Sequence, residues 1–446
     1  MRSPNHNGRA EMRSNKEHAQ GLIKTRLLLF LVSFCLIGVA AFGTWYWLYT
    51  RGPEKSILSK TEVAAALKSS GVFQEFPTEV EMMVEGKPEK VHLDYSFDER
   101  LQGEMESLIQ MYRPDYGAFV AVDANTGRIL SMVSYSHHAD LDDHLALRAT
   151  FPAASVFKVV TAAAAIAEGN MNANTSMQFN GRNHTLYKSA VLKTKINRWT
   201  RTITLKEAFS RSVNTVFAKL GIFNVGSEDL RDYASRFGFN RMIASDLPIQ
   251  EGRAVISDNL WQLAETSSGF TKDTTMSPLQ GALIAAAISN GGKMMEPFAV
   301  EKITRGTDGL KLYQAQPQLF QEVVTLPVAN ELKSLMRETV RRGTSSGSFR
   351  RFFRGPYALL DVGGKTGSLT GLDPKGKYDW FVGYGELGQS KIAVAALTIS
   401  EKYWRVKSSY LARRSFETYF RYQLGIGPKN KKNRPGFHAS HYSTSP

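Results

Sequence analysis

The chain has almost no sulfur chemistry and none of the short motifs typical of cofactor-dependent enzymes. Its 446 residues include a single cysteine, Cys35, which excludes an intramolecular disulfide and a cysteine-based metal site. It has no phosphate-binding glycine loop, no paired-histidine zinc motif and no dinucleotide fingerprint. The adjacent His137 and His138 have no partner at metal-ligand spacing. The sequence therefore implies no metal and no cofactor.

Acidic residues are few relative to basic ones. There are 41 Asp and Glu against 56 Lys and Arg, and the formal net charge is +15. Such a charge favours anionic partners, but no RNA- or DNA-binding motif accompanies it, so nucleic acid is not expected as a partner. The basic residues are frequent in segment 1–26 and again in the last twenty or so residues, at Lys429, Lys431, Lys432 and Arg434. This placement indicates a membrane flank and a basic tail.

One run, 27–48, carries no charge at all. It reads LLLFLVSFCLIGVAAFGTWYWL and is long enough to cross a hydrocarbon layer of about 30 Å as a helix. Aromatic residues follow at its C-terminal end and basic residues precede it, which predicts a cytoplasmic N-terminus. A cleaved signal peptide would have a shorter apolar core and small residues at a cleavage site. We expect an uncleaved, single-pass anchor in the inner (cytoplasmic) membrane, with the bulk of the chain on the periplasmic side.

The rest of the pattern divides the chain into five segments. They are a cytoplasmic basic segment (1–26), the transmembrane anchor (27–48), a stem or linker (49–101), a globular domain (102–425) and a disordered basic tail (426–446). Within the globular domain, strand patterns come first, a mainly helical block follows, and strands and a final helix complete it. This order predicts an α+β domain, a mainly antiparallel sheet with an inserted helical lobe, preceded by one transmembrane helix.

The first motif with chemical potential is Ser155-Val-Phe-Lys158, at the start of an apolar, alanine-rich stretch. On a helix, positions i and i+3 share a face, so the Lys158 amine would lie near the Ser155 hydroxyl. A serine hydroxyl becomes a good nucleophile when a neighbour takes its proton, and lysine does so when burial or a nearby cation lowers its pKa. Alone the motif is weak, because about one or two such matches are expected by chance.

A second motif, Ser212-Val-Asn214, lies between two helical patterns. On a turn there, the hydroxyl would relay a proton to a leaving group, and the amide would hold Lys158 and a substrate amide in place. The alternative is an ordinary helix cap, a position that Ser and Asn favour.

The third motif is Lys365-Thr366-Gly367, followed by Ser368. The lysine would supply a fixed positive charge for a substrate carboxylate, and the threonine would hydrogen-bond the same group. The glycine would let a substrate backbone lie against a strand edge. The alternative is an exposed turn.

Taken together and in this order, the three motifs resemble those of the transpeptidase domain of high-molecular-weight penicillin-binding proteins, the penicilloyl-serine transferase family. Segments 117–128, 151–155, 276–280, 340–344 and 379–383 support the resemblance. In one departure, Ser268-Gly269-Phe270 stands where relatives often read Gly-Gln-Gly. The resemblance implies a penicillin-binding/β-lactamase-like fold, with 102–425 as the transpeptidase domain.

The resemblance also implies an activity and a site. The protein would be a peptidoglycan D,D-transpeptidase that cross-links stem peptides through a Ser155 acyl-enzyme and is inhibited by β-lactams. The oxyanion hole would be formed by the backbone N–H groups of Ser155 and Ser368. The implied catalytic residues are Ser155, Lys158, Ser212, Asn214 and Lys365, and the implied substrate-binding residues are Thr366, Gly367 and Ser368.

Other functions remain compatible with the same residues. A D,D-carboxypeptidase differs only in using water as acceptor, and a β-lactamase or β-lactam sensor shares the acylation step. From another class, a catalytically inactive membrane-anchored scaffold of the cell-wall machinery is a further alternative, although it has no need of the serine and lysine set. The expected partners are peptidoglycan stem peptides, β-lactams as inhibitors, the membrane and other cell-wall synthesis proteins.

Overall fold

The computed structural model describes residues 56–69, 76–138, 144–193 and 196–427, and separate residues between 30 and 43. Two compact units are distinguished, Met1–Ile57 and Leu58–Pro446. The expected anchor, 27–48, and the expected tail, 426–446, fall largely outside the described residues. Within the described part of the chain, no helix combines the length and the apolar character needed to cross a membrane.

The second unit contains both β-strands and α-helices. The strands are β1 (Glu79–Val84), β2 (Lys87–Tyr95), β3 (Tyr116–Asp123), β4 (Ile129–Ser136), β5 (Phe151–Pro152), β6 (Ser176–Phe179), β7 (Arg201–Thr204), β8 (Thr275–Met276), β9 (Lys293–Met295), β10 (Val300–Arg305), β11 (Lys311–Gln314), β12 (Leu319–Glu322), β13 (Asp361–Leu372), β14 (Lys375–Leu387) and β15 (Ser390–Ser400). The α-helices are α1 (Lys60–Ser69), α2 (Glu99–Tyr112), α3 (Lys158–Ala167), α4 (Lys188–Leu192), α5 (Leu205–Ser210), α6 (Asn214–Leu220), α7 (Gly226–Arg236), α8 (Leu260–Ser267), α9 (Pro278–Ser289), α10 (Leu326–Arg341), α11 (Ser346–Phe349) and α12 (Ser408–Phe420).

A five-stranded antiparallel sheet, in the order β13-β14-β15-β3-β4, organises the unit. Both faces of this sheet are covered, as the side chains of strand β15 show. Its side chains alternate between two cores, with Ala395 and Leu397 in one and Val394 and Ala396 in the other, as successive residues of a strand point to opposite faces. Strand β13 lies at the edge of the sheet, so one side of its backbone is open to another chain.

Helices pack on each face of this sheet. Helix α9, whose residues are all buried, lies against β3, β14 and β15. It begins at Ser277, whose hydroxyl accepts a hydrogen bond from the Gln280 N–H, and it has proline in its first turn, a favourable N-terminal arrangement. Helices α2 and α12 pack against each other on the opposite face. The expected α+β architecture, a mainly antiparallel sheet with a helical lobe between its strands, is confirmed.

The described residues between 58 and 101 are folded with the rest of the second unit. Strand β2 pairs with β10, and together with β1 and β11 they form a four-stranded sheet. Val63 and Leu67 of α1 are buried in the same hydrophobic core as residues of helices α3 and α6. The boundary expected from the sequence, between residues 101 and 102, falls inside α2. The polar composition before it suggested a linker, but these polar residues lie on the exposed faces of strands.

Candidate active site

Ser155 lies on a tight turn between a short strand and a buried helix. After β5, residues Ala154–Phe157 form a 3₁₀ turn that leads directly into α3. Ala154 has a φ of 49°, a left-handed conformation that a non-glycine residue adopts at a cost, so the surrounding packing must hold the turn. The indole Nε1 of Trp380 donates to the Pro152 carbonyl at 2.9 Å and fixes the chain just before it. The Ser155 side chain is half-buried.

Lys158 occupies the first turn of α3 and is completely buried. Its Nζ lies 2.8 Å from the Ser155 Oγ and 2.8 Å from the Asn214 Oδ1, and it also donates to the Ser268 carbonyl. Burial, and secondly the positive charge of Lys365, hold the pKa of the Lys158 amine well below its ordinary value. A neutral amine in this position accepts a proton from the serine hydroxyl.

Ser212 lies on the turn between α5 and α6, as the sequence predicted, and Asn214 is the first residue of α6. Ser212 has a φ of 54°, a second left-handed residue at the site. The Asn214 N–H donates to the Asn183 carbonyl at 2.7 Å, which anchors the turn. The turn brings the Ser212 hydroxyl next to the Lys365 amine.

The Lys365-Thr366-Gly367-Ser368 segment lies within the edge strand β13. Lys365 is fully buried, and its Nζ donates to the Ser212 Oγ at 3.0 Å and to the Thr366 carbonyl at 2.7 Å. Burial lowers the pKa of the Lys365 ammonium to about 7. At Gly367 a Cβ would lie 3.1 Å from Val156 Cγ2, a contact tight enough that a side chain there would push β13 and the Ser155 turn apart by a few tenths of an ångström.

These residues surround one cleft of about 600 Å³. Its walls include Ser155, Ser212, Asn214, Thr366, Gly367 and Ser368. The two lysines lie behind this wall, buried, with only their amines reaching the lining groups. The structure therefore unites all eight residues that the sequence selected, although up to 213 positions in the chain separate them.

Comparison with known proteins identifies this arrangement. The sequence pattern described as the penicillin binding protein transpeptidase domain matches residues 117–417. The chain belongs to that family. The peptidoglycan D,D-transpeptidase PbpA of Mycobacterium tuberculosis is 28% identical over 348 residues, which cover 70% of this chain and 67% of PbpA. Stage V sporulation protein D of Bacillus subtilis is 24% identical over 306 residues, 66% of this chain and 46% of that protein.

Solved structures of the family have the same fold. The crystal structure of PBPA from Mycobacterium tuberculosis superimposes with a TM-score of 0.61 at 26% identity, over 74% of this chain and 82% of PBPA. The penicillin G acyl-enzyme complex of penicillin-binding protein A from the same organism gives a TM-score of 0.57 at 26% identity, over 74% of this chain and 81% of that one. This chain is thus similar to proteins whose structures contain a covalent β-lactam adduct.

Ser268 and Gly269 contact the residues of the first motif, and sequence reasoning missed this role. The departure of this segment from the family pattern gives no indication that the Ser268 carbonyl accepts a hydrogen bond from Lys158. Gly269 has a φ of 62°, and a Cβ there would lie 2.0 Å from the Ala154 carbonyl oxygen. The backbone of this segment therefore packs directly under the Ser155 turn, a contact between distant segments that leaves no local signal.

His184 and Thr344 also line the cleft and were not selected from the sequence. Partial burial, and secondly the charge of Lys158, lower the pKa of the His184 imidazole. Thr344 shares a hydrogen bond between hydroxyl groups with Thr366, which orients the threonine of the third motif. The segment 340–344 supported the family resemblance, but only the fold shows that it reaches the site.

Proposed function

We propose that the protein is a membrane-anchored peptidoglycan D,D-transpeptidase that acts through a Ser155 acyl-enzyme and is inhibited by β-lactams. The observation that carries the proposal is the 2.8 Å contact between the Ser155 Oγ and the amine of the fully buried Lys158. It is supported by relatives named D,D-transpeptidases and by the acyl-enzyme structures of penicillin-binding protein A.

Acylation begins with proton transfer from the Ser155 hydroxyl to the neutral Lys158 amine. The serine oxygen attacks the carbonyl carbon of the penultimate D-Ala of a donor stem peptide and forms a tetrahedral oxyanion. The proposed oxyanion hole consists of the backbone N–H groups of Ser155 and Ser368, and such donors are each typically worth about 10² to 10³ in rate. Collapse of the oxyanion breaks the peptide bond to the terminal D-Ala.

The departing amine needs a proton to leave. Ser212 is suited to deliver it, because its hydroxyl accepts from Lys365 at 3.0 Å and lines the cleft. The amine of an acceptor stem peptide then attacks the Ser155 ester, gives up a proton along the reverse route and takes the acyl group. The free serine and the cross-linked peptide are the products.

The edge strand β13 orients the substrate. The backbone of the donor peptide pairs alongside β13, where Gly367 leaves room for it. Its terminal carboxylate lies against the Thr366 hydroxyl and the Lys365 amine, and a carboxylate bound there favours the charged form of that amine. A charge-assisted hydrogen bond of this kind contributes about 1.5–3 kcal/mol.

Persistence of the acyl-enzyme distinguishes this function from that of a β-lactamase. The two glutamates near the motifs are occupied in structural contacts: Glu207 forms a capping box with Thr204, and the Glu168 carboxylate accepts from the Tyr233 hydroxyl at 2.8 Å. Asp379 lines the cleft, but its carboxylate accepts from the Ser408 N–H at 2.8 Å. None of these three carboxylates is therefore assigned as a base that activates water, which favours slow hydrolysis of the ester.

The decisive experiment is intact-protein mass spectrometry after a brief exposure to benzylpenicillin. We expect one stable adduct that persists for many minutes and is absent from Ser155→Ala. Ser131→Ala, a change at a buried serine outside the cleft, serves as the matched control and should retain the adduct. Rapid return to the free mass with multiple turnovers would identify a β-lactamase, and no adduct in the wild-type protein would favour an inactive scaffold.

A second assay addresses the acceptor. With a thioester donor peptide and an added amine, a transpeptidase yields the aminolysis product in preference to the free acid. Exclusive hydrolysis at all amine concentrations would identify a D,D-carboxypeptidase.

The proposed location is the inner (cytoplasmic) membrane, single-pass, with the Ser155 domain on the periplasmic side. The support is the uncharged run 27–48 and the basic residues before it. A reporter enzyme that is active only outside the cytoplasm, fused after Pro446, should be active. A stably expressed but silent fusion would contradict the orientation.

A further inference from the structure

A second cleft adjoins the Ser155 cleft and is strongly basic. It encloses about 540 Å³, and its charged lining residues are Arg350, Arg351, Arg405, Lys407 and Arg413, with no acidic residue among the lining groups. Gly347, Ser348 and Lys407 line both clefts. The two spaces therefore share a wall, and a ligand that occupies the first can extend into the second. We refer to the second space as the basic cleft.

Most of the positive charge in the basic cleft is not neutralised by the protein. Arg350, Arg351 and Arg405 are exposed, and none of them forms an ion pair or a side-chain hydrogen bond with the described part of the chain. Arg413 pairs with Glu417 at 2.8 Å, yet its Nε is buried with no acceptor among the described residues. Lys407 lies 3.6 Å from the Asp379 carboxylate.

The cluster is assembled by the fold rather than by one basic run. Arg350 and Arg351 follow the short helix α11, Arg405 lies in the loop between β15 and α12, and Arg413 belongs to α12. Like charges brought together in a concavity repel one another, so the arrangement costs stability unless an anion occupies it. Guanidinium groups are suited to carboxylates, which they bind through two parallel N–H···O bonds.

We propose that the basic cleft binds a side-chain carboxylate of the peptide substrate, at a residue upstream of the bond that Ser155 attacks. The inference rests on the proposed function and specifies its substrate class: acidic rather than amidated stem peptides. In this proposal a donor peptide paired alongside β13 places its reacting carbonyl at Ser155 and extends its upstream part over Gly347 and Ser348, which line both clefts. The free guanidinium groups beyond that wall then bind the carboxylate.

The test compares two thioester donor peptides that differ only upstream, one with a glutamate residue and one with glutamine at the same place. For the full-length protein we expect a kcat/KM about tenfold higher for the acidic peptide, expressed mainly in KM, as for one charge-assisted contact. The double variant Arg350→Gln/Arg405→Gln should treat both peptides alike. Arg354→Gln removes an exposed arginine on the same segment that does not line the basic cleft, and it should keep the preference.

Benzylpenicillin separates failure of this inference from failure of the proposed function. It has no acidic residue upstream of its reacting carbonyl, so its acylation of Ser155 reports on the Ser155 cleft and on folding. Normal penicillin acylation with equal kcat/KM for the two peptides would overturn the inference alone, whereas absence of acylation would overturn the proposed function. Loss of preference in Arg354→Gln would also overturn it, since general surface charge would then be the cause. Binding of poly(glycerol phosphate) that the double variant loses, without peptide preference, would assign the basic cleft to a phosphate polymer and refute the proposal.

Discussion

The buried charge of Lys365 makes the stability of this protein depend on pH in a predictable direction. The pKa of its ammonium falls from 10.5 to about 7 because the side chain is fully buried. Between these pH values the unfolded chain holds the proton and the folded protein does not, so lowering the pH destabilises the fold. Above 10.5 neither state is charged and the cost disappears; below about 7 both are charged and the cost is complete. The change that tests this is Lys365→Met, which removes the charge and keeps a similar shape.

The magnitude follows from the same pKa. A shift of one pKa unit corresponds to about 1.4 kcal/mol, so the shift from 10.5 to about 7 means that burial of the charge costs about 5 kcal/mol at or below neutral pH. The variant also leaves the Ser212 hydroxyl and the Thr366 carbonyl without their partner, which costs about 1–3 kcal/mol each at every pH. The slope therefore isolates the charge. Relative to wild type, Lys365→Met should gain about 4 kcal/mol between pH 10 and pH 7, and it should be clearly less stable only at pH 10.

Denaturant unfolding at several pH values between 7 and 10, followed by tryptophan fluorescence, measures this difference. Lys377→Met changes an exposed lysine on the neighbouring strand β14 and controls for general effects of charge, with an expected slope of zero against wild type. Loss of the Lys365 charge also relieves the lowered pKa of Lys158, and this effect has the same sign, because the variant again gains stability as the pH falls. If the free energy of unfolding of Lys365→Met differed from wild type by the same amount at pH 7 and pH 10, Lys365 would be charged in the folded protein as it is in the unfolded chain, and the reasoning from burial would be wrong.

The other predictions concern the base and the backbone of the site. Lys158→Ala should reduce acylation by benzylpenicillin at least about 10²-fold while the circular dichroism spectrum stays native, and a wild-type rate would remove lysine from the mechanism. Gly269→Ala should lose acylation and at least about 1–3 kcal/mol of stability, because φ is 62° and a Cβ would lie 2.0 Å from a backbone carbonyl oxygen. Gly103→Ala, where α2 has open space, is its control and should be neutral or stabilising in thermal unfolding. Trp380→Phe should cost about 1–3 kcal/mol in denaturant unfolding, because the buried Pro152 carbonyl loses its donor; unchanged stability would mean that water replaces the indole.

The sequence by itself determined the chemistry of this protein and its order along the chain. Ser155 and Lys158 could be paired from local spacing alone, since three positions on a helical turn bring side chains together whatever the rest of the fold does. The capping box of Thr204 and Glu207 likewise depends only on two residues three positions apart. The α+β architecture followed from the succession of strand and helix patterns, which depends on short-range periodicity.

Only the tertiary structure decided which distant groups meet. The lowered pKa values of Lys158 and Lys365 arise from complete burial, and burial depends on packing across the whole unit. Gly269 under Ala154, the polar strand β2 paired with β10, and the convergence of Arg350 with Arg405 join segments that carry no mark of each other. Contacts between residues far apart in the chain leave no periodic trace in one sequence, because each residue type there is compatible with many other surroundings.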